Sequence, residues 1–197
     1  DDVNISDLTA SFLIGDLASN AANSLKLGFH LDENTPCGHI LTLQVTLKAA
    51  DGKTWKVPLT ILVGKAIQAA VASQPNLPIP DKDAAGITDT IEIASKATVS
   101  PTFTIDLNLK HPYRADLKVS LVSPEGKTIV LHDHSGFSDN DLIGTYPSTL
   151  TPKESLSGLI GQKLEGSWTL MVQDTASGDI GTLISWGIRD ISGYECH

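Results

Sequence analysis

One stretch of the sequence carries the clearest architectural signal: residues 111–131 read HPYRADLKVSLVSPEGKTIVL. Apolar and polar side chains alternate through residues 117–122 and again through 128–131, which is typical of half-buried β-strands. Between these segments, residues 123–126 read SPEG, with proline and glycine at the second and fourth positions of a β-turn. The stretch therefore predicts two consecutive strands joined by a tight turn.

The same alternation continues on both sides of this stretch. Further strands are predicted at residues 87–93, 103–109, 166–172 and 181–188. Residues 174–179, which read DTASGD, separate the last two strands and have the composition of a turn. Short strands with regular turn signals and almost no helical periodicity predict an all-β chain, a β-sandwich of the jelly-roll kind.

The first third of the chain also has the pattern of β-structure. Residues 39–63 are predicted to form an antiparallel hairpin around Asp51-Gly52, and residues 8–12 and 25–31 are predicted to be two more strands. A complete sandwich has about seven strands. Residues 1–65 are therefore predicted to form only a partial β module.

The sequence changes character at residues 66–80. Residues 65–72 are the one segment where a helical turn or two is predicted, and prolines follow at positions 75, 78 and 80. Proline removes backbone donors and stops a helix. Residues 66–80 are therefore predicted to be a linker, and residues 81–197 a second domain that contains the strands described above.

Composition excludes several classes of function. The 197 residues include 14 Lys and Arg against 23 Asp and Glu, a formal net charge of −9 at pH 7, whereas nucleic-acid binding requires a basic patch. No apolar stretch reaches the roughly 18 residues of a membrane-spanning helix, so no membrane partner is predicted. Two cysteines, Cys37 and Cys196, exclude a disulfide-dense scaffold, and the sequence leaves open whether they pair.

The sequence contains no recognisable catalytic signature. Neither the G-x-S-x-G motif of a serine nucleophile nor the H-E-x-x-H motif of zinc proteases occurs. His132 and His134 share one face of a predicted strand end, but no third metal ligand is visible, so two exposed imidazoles are the favoured interpretation. Arg114 and Asp116 are predicted to form a local ion pair, and His111 to anchor its loop by hydrogen bonds. The chain is therefore predicted not to be an enzyme.

Calcium is the metal that the acidic loops favour, because Ca²⁺ takes about six to eight oxygen ligands. The candidate ligands are Asp116, Asp139, Asn140, Asp141, Asp174 and Asp179. Asp and Asn are also common in turns without a metal, because their side chains cap the local backbone. Both interpretations stay open at this stage.

Three segments in order resemble the P domain of proprotein convertases. The family pattern H-T/P-Y-x-x-D-L-x-V-x-L-x-S-P-x-G is matched by residues 111–126. Residues 164–186 match the closing pattern, L-x-G-x-W-T-L-x-V-x-D followed by G-D-x-G-x-L-x-x-W, and residues 79–88 resemble the opening. The resemblance covers about residues 77–191, and residues 1–65 loosely resemble the Ig-like modules that precede P domains in bacterial proteases.

The resemblance implies a jelly roll attached C-terminally to a secreted bacterial protease, either a subtilisin-like serine protease or a metalloprotease. Such a domain supports folding and stability of the catalytic domain, has no catalytic residues of its own, and in related proteins holds structural calcium in its loops. The implied partners are the catalytic domain of the same polypeptide and a protein substrate. Residues 135–141 contain less glycine than the corresponding loop of the family, which leaves the details of an ion site open.

A substrate-binding β-sandwich, specific for protein or carbohydrate, is the alternative function that predicts the same strands. It requires exposed aromatic side chains. Trp168 and Trp186 lie in apolar strands and are predicted to be in the core. Trp55, which has lysines around it, is the more exposed candidate, although packing is favoured there as well. The accessory protease domain is the preferred interpretation.

Overall fold

In the computed structural model, residue 31 and residues 34–196 are described. The chain forms two compact units: one contains the residues up to Lys65 together with Cys196, and the other is Ala66–Glu195. Strands dominate the part that is described, and its only helical elements are two short 3-10 turns. None of its helices is long and apolar enough to cross a membrane.

The first unit contains an antiparallel hairpin. Strand β1 (Ile40–Lys48) pairs with β2 (Thr54–Leu62) along its whole length. The hairpin predicted at residues 39–63 is therefore confirmed. The strand predicted at residues 8–12, and all but the last residue of the strand predicted at 25–31, lie outside the described residues.

Cys37 and Cys196 form a disulfide, with their Cα atoms 5.8 Å apart. This answers the question of pairing that the sequence leaves open. The two cysteines are 159 positions apart, so the bridge closes a loop that contains most of the chain. In the chain-entropy description, closing so long a loop stabilises the folded state by about 5 kcal/mol.

The second unit contains two sheets. Its strands are β3 (Lys65–Ser73), β4 (Leu77–Ile79), β5 (Asp83–Ile93), β6 (Thr104–Lys110), β7 (Leu117–Val122), β8 (Thr128–Asp133), β9 (Leu142–Tyr146), β10 (Gly166–Asp174) and β11 (Gly181–Glu195). One sheet has the order β5-β10-β7-β8 and the other β3-β11-β6-β9, with β4 also paired to β11. The strands predicted at 87–93, 103–109, 117–122, 128–131, 166–172 and 181–188 are all present.

Alternate residues of both sheets fill one core. On β6, Ile105 and Leu107 are buried while the residue between them is only partly covered. Trp168 on β10 is buried as well; its indole N–H donates to the Leu164 carbonyl at 2.9 Å, and its ring centroid lies 5.2 Å from that of Phe103. Because the two sheets share a single apolar cluster, the predicted β-sandwich is confirmed.

The three tryptophans have different surroundings. Trp186 is buried with Trp168, and its indole N–H donates to Asp89 Oδ2 at 2.7 Å. The predicted core position of both residues is confirmed. Trp55 on β2 is 50% exposed. It is therefore the one tryptophan with a large face toward solvent.

The helical turn predicted at residues 65–72 is wrong, because these residues form β3. The residues predicted as a linker, 66–80, contribute β3 and β4 to the β11 sheet. Alanine favours helix intrinsically, but pairing with a neighbouring strand overrides so weak a preference. Gly187 on β11 shows how close the strands come, since a Cβ there would lie 2.7 Å from the Val71 carbonyl oxygen.

Candidate functional site

Three loops meet at one end of the sandwich, because the strands that they connect pair at those ends. Lys110 on β6 lies opposite Thr182, and Asp174 on β10 lies opposite Leu117. The loops comprise residues 111–116, 133–141 and 174–179, and together they are called the loop end below. The 3-10 turn Arg114–Asp116 belongs to the first of them.

His111 is the buried centre of the loop end. Its Nε2 lies 3.2 Å from Asp174 Oδ2, and neither side chain has appreciable exposure. Its Nδ1 lies 2.8 Å from the Tyr113 carbonyl oxygen and 3.1 Å from the Tyr113 backbone nitrogen. Asp174 Oδ1 also accepts from the Ala176 N–H at 3.1 Å. His111 therefore joins the first and third loops, which confirms its predicted anchoring role.

The second loop is attached to the same corner by two aspartates. The His111 N–H donates to the Asp141 carboxylate at 2.9 Å, and the Asp141 N–H donates to the His111 carbonyl at 2.9 Å. The Arg114 guanidinium donates to Asp139 Oδ2 at 2.7 Å. The predicted ion pair of Arg114 with Asp116 is therefore wrong, because a loop distant in sequence brings Asp139 to the guanidinium.

The two histidines at the end of β8 have different surroundings. His132 is buried and makes a 2.8 Å hydrogen bond from Nε2 to the Arg114 carbonyl. Burial lowers the pKa of His132 below 6.5, and the nearby Arg114 charge adds to the effect, although this hydrogen bond opposes it. The prediction that both imidazoles are exposed on one face is therefore wrong. The cause is a shift of register in the pairing of β7 and β8, which turns His132 inward.

His134 is the exposed histidine. It lies between Asp133 Oδ1, 2.8 Å from Nδ1, and Thr175 Oγ1, 2.7 Å from Nε2. The hydrogen bond from His134 lowers the pKa of Asp133. The Thr175 N–H in turn donates to the Asp116 carbonyl at 3.0 Å. This chain of contacts joins the second and third loops at the surface.

Three of the six predicted calcium ligands interact through their charges. Burial raises the pKa of the Asp116 carboxyl, and the negative charges of Asp174 and Asp179 raise it further. The nearby His111 and His134 oppose this effect. Asp174 and Asp179 are therefore both close enough to repel the charge of Asp116.

The other three predicted ligands, Asp139, Asn140 and Asp141, lie in the second loop. Arg114 occupies one carboxylate oxygen of Asp139, and Asp141 receives the backbone N–H of His111. In the part of the chain that the structure describes, no three His, Cys, Asp or Glu side chains are arranged to hold a metal ion. The six-residue calcium site remains a prediction.

A shallow cavity of about 300 Å³ opens beside His111, and its lining includes Asn140 and Ile180. Gly181 forms part of its wall. A Cβ at Gly181 would lie 2.5 Å from His111 Cδ2 and 2.7 Å from the Lys110 carbonyl oxygen. Only glycine therefore fits beside His111 at this position.

Sequence reasoning misses two residues that shape this site, Thr175 in the loop end and Gly181 at the start of β11. Gly181 is part of the G-D-x-G motif, but the motif does not reveal that Gly181 packs against His111. Thr175 gives no signal at all, because its partners His134 and Asp116 are distant in sequence. Both contacts depend on the pairing of strands rather than on local spacing.

Comparison with known proteins places the loop end within a family. Residues 100–189 match the sequence model of the proprotein convertase P-domain. The chain is 36% identical over 111 residues to leupeptin-inactivating enzyme 1 of Streptomyces exfoliatus, covering 56% of this chain and 23% of that protein. It is 33% identical over 144 residues to the transglutaminase-activating metalloprotease of Streptomyces mobaraensis, covering 72% and 18%.

A third relative is a calcium-dependent protease of Nostoc sp., 31% identical over 139 residues, which cover 64% of this chain and 20% of that protein. The chain thus spans about a fifth of the length of the curated relatives it matches. The matched residues contain all three loops of the loop end and most strands of both sheets. Residues 100–189 of this chain are a proprotein convertase P domain.

Proposed function

We propose that this chain is a non-catalytic accessory region of a secreted protease, and that its P domain stabilises a catalytic domain in the same polypeptide. The observation that carries the proposal is the P-domain match at residues 100–189 in a chain whose longer relatives include named proteases. A protein substrate of that protease is the second partner that we propose.

The architecture suits a docking role. Two sheets share one core, and the loops at one end are fixed to each other by the buried pair of His111 and Asp174. Loops that a rigid scaffold positions are where binding residues concentrate. A preorganised surface also loses little conformational entropy when it docks.

The disulfide between Cys37 and Cys196 supports the proposed secretion. Disulfides form and persist in oxidising environments and are rare in the cytosol. The extracellular basic protease of Dichelobacter nodosus, 30% identical over 108 residues, is a further relative of the chain. We therefore propose an extracellular location.

We include structural calcium in the proposal, with Asp116 and Asp179 as the first ligands to test, since the Asp174 carboxylate already accepts from the Ala176 N–H and contacts His111. The pKa of Asp116 is raised by burial first and by the negative charges of Asp174 and Asp179 second, and a divalent cation would oppose both effects. The arm formed by Asp139, Asn140 and Asp141 is less suitable, because the Arg114 guanidinium already neutralises Asp139. The calcium-dependent protease among the relatives supports this part of the proposal.

Thermal unfolding with calcium and with excess EDTA tests the ion. Saturating calcium is expected to raise the unfolding midpoint by roughly 2–4 °C, the shift for a ligand that binds only the native state. Asp116→Asn should abolish the shift, whereas Glu165→Gln, a change of an exposed carboxylate outside the loop end, should preserve it. Equal midpoints in calcium and EDTA would contradict the calcium site and leave the docking role untouched.

The accessory role is tested on the natural polypeptide that contains this chain, produced with and without residues 66–195. Removal is expected to shorten the half-life of proteolytic activity at elevated temperature, because the catalytic domain loses a stabilising partner. Equal half-lives and equal yields of active enzyme would contradict the accessory role.

Trp55 favours the alternative, substrate binding, because half of its surface is exposed. Sedimentation of the chain with insoluble chitin or collagen tests this function. If the chain binds and Trp55→Ala abolishes the binding, substrate binding is supported. If the chain does not bind, the accessory role is the only one of the two functions that remains.

A further inference from the structure

A second cavity opens on the sheet that contains β3, β11 and β6. Its volume is about 270 Å³, and residues of these three strands line it. It is called the sheet groove below, and the side chains that decide its chemistry are those of Ala70, Ala72, Asp106, Asn108, Ser185 and Arg189. All of them belong to the second unit, and none lies in the three loops of the loop end. The sheet groove is therefore a separate candidate site.

The polar side chains of the sheet groove point away from the core. On β6, Asp106 and Asn108 alternate with buried leucines, so they lie on the outer face of the sheet. Residues two positions apart on a strand are about 6.6 Å apart. On β11, Ser185 pairs with Asn108. The sheet therefore presents a short polar row, about as wide as a six-membered ring with its substituents.

Small side chains border the groove on the side of β3. Ala70 and Ala72 are exposed there and contribute only methyl groups. The volume of about 270 Å³ is close to the lower limit of small-molecule sites, which is about 300 Å³. The groove therefore has room for one small ring and not for a chain of several.

Asn108 has a hydrogen-bonding atom without a partner. Its Oδ1 is buried and accepts no hydrogen bond within the part of the chain that the structure describes. A buried acceptor without a donor costs free energy, and such a group in a folded protein requires an explanation. The terminal amide can turn about its last side-chain bond, so it can direct either its oxygen or its N–H groups to a ligand. A ligand that both donates and accepts would satisfy it.

Asp106 and Arg189 form an ion pair in the same groove. The Arg189 Nη2 and the Thr145 hydroxyl each donate to Asp106 Oδ1 at 2.6 Å. Both bonds end on Oδ1, which leaves Oδ2 as an acceptor for a ligand. The two side chains of the pair are nearly half exposed, so a ligand in the groove can reach them. The groove therefore offers donors and acceptors side by side with no net charge.

This chemistry distinguishes among ligands. An apolar ligand would leave the polar groups of Asp106 and Asn108 without partners. A charged ligand would meet a pair that is already neutralised. An extended peptide adds to the edge of a sheet through backbone hydrogen bonds, whereas the groove lies on a face where the backbones of β6 and β11 pair with each other. Neighbouring hydroxyl groups, each of which donates and accepts, match the groove best.

We propose that the sheet groove binds one ring of a neutral sugar, with neighbouring hydroxyl groups on Asp106, Asn108 and Arg189. This inference does not rest on the proposed accessory function. It also differs in location from the substrate-binding alternative, because Trp55 is not part of the groove.

NMR titration of the isotopically labelled full chain with glucose, galactose, mannose and N-acetylglucosamine tests the proposal. Saturable shifts of the Asn108 side-chain amide and the Gly187 backbone N–H are expected with at least one sugar, in the millimolar range because one ring makes few contacts. Added salt should leave the affinity unchanged, since the ligand is neutral. The methyl glycoside of the same sugar identifies the source: its binding indicates a ring within a glycan, and its exclusion indicates a free sugar. Both results support the groove.

Two variants locate the binding. Asn108→Leu keeps the side-chain volume and removes the amide, and it is expected to weaken binding about fivefold or more because a hydrogen bond is lost. Thermal unfolding should show that this variant is at least as stable as the unchanged chain, since an unsatisfied buried acceptor is removed. Ala70→Phe keeps every polar group but fills the groove, and it should abolish binding. Thr88→Val, on the exposed face of β5 in the other sheet, is the matched control and should bind as the unchanged chain does.

Three results would overturn the proposal. The first is the absence of saturable shifts with all four sugars. The second is binding that both Asn108→Leu and Ala70→Phe leave unchanged, which would place the sugar elsewhere on the chain. The third is saturation of the same amides by triglycine and by no sugar, which would show a peptide site instead. The accessory function is decided separately, by the half-life of activity with and without residues 66–195.

Discussion

The second unit contains two aspartate–histidine pairs that differ in burial. The exposed pair of Asp133 and His134 is the shorter, at 2.8 Å, and its side chains are 37% and 42% exposed. The buried pair of His111 and Asp174 is longer, at 3.2 Å, and its side chains are 0% and 1% exposed. By distance alone, the exposed pair would be judged the stronger interaction.

Burial reverses that ranking. Water screens the exposed pair and competes for its hydrogen bonds, so such pairs contribute little to stability. Neither member of the buried pair has access to water, so His111 Nε2 and Asp174 Oδ2 depend on each other for a hydrogen-bond partner. The residues that hold the loops together are therefore identified by the free energy of folding that is lost when a partner is removed. The length of the contact does not identify them.

The largest expected effect comes from Asp174→Ala. Removing this carboxylate leaves both His111 Nε2 and the Ala176 N–H without their partner, and each buried unsatisfied polar group costs about 1–3 kcal/mol. Urea unfolding at neutral pH measures the loss. Asp133→Ala is the matched control from the exposed pair, and a similar loss in both variants would contradict the ranking by burial.

Gly181→Ala is expected to have the next largest effect. The added methyl group would contact His111 and the Lys110 carbonyl, and overpacking of this kind costs about 1–3 kcal/mol. Gly193→Ala is the control, since nothing lies within 4 Å of a Cβ at that position. Equal midpoints of urea unfolding for the two variants would show that the wall beside His111 can yield.

His132 is expected to make stability depend on pH. Its pKa in the folded state is below 6.5, so the unfolded chain takes up the proton first as the pH falls. The contribution to stability is therefore complete above pH 6.5 and decreases as the pH falls toward the folded-state pKa. His132→Gln should flatten this part of the profile, and the free energy of unfolding measured between pH 7.5 and 5 tests this; an unchanged profile would contradict the role of His132.

His134→Ala is expected to have the smallest effect, since the two contacts that it removes, with Asp133 and with Thr175, are both exposed to solvent. The pKa of Asp133 is lowered in the folded state, so its contribution is present above its ordinary value of 3.8 and is lost as the pH falls through the folded-state pKa. Unfolding midpoints of this variant and the unchanged chain should coincide at pH 7 within error. A large drop in the unfolding midpoint would show that the exposed pair contributes substantially to stability.

Alternation in the sequence is sufficient to predict most of the sandwich. Strands such as β6 and β10 have one apolar face and one polar face, and the period of two survives in the structure. Alternation does not identify strand β3, because its alanines are equally compatible with a helix. Strand β9 is missed because Gly144 interrupts its short apolar pattern.

The loop end was less accessible to prediction. The family motif identifies His111, Asp116 and Asp174 as important, but the contact of His111 with Asp174 spans 63 positions. Likewise, the partner of Arg114 is 25 positions away, and proximity in sequence favours the wrong aspartate. Long-range strand register determines both pairs, and a single sequence does not reveal that register.

The disulfide has a consequence for a chain that functions among proteases. Cys37 and Cys196 enclose nearly every exposed loop of the described chain, including the three loops of the loop end. A single peptide-bond cleavage between these cysteines yields two segments that remain one covalent molecule. The segments therefore stay at high effective concentration, and the nicked molecule persists as an assembled domain. Only cleavage followed by reduction releases the pieces, so damage to this molecule is visible on a reducing gel and hidden on a non-reducing one.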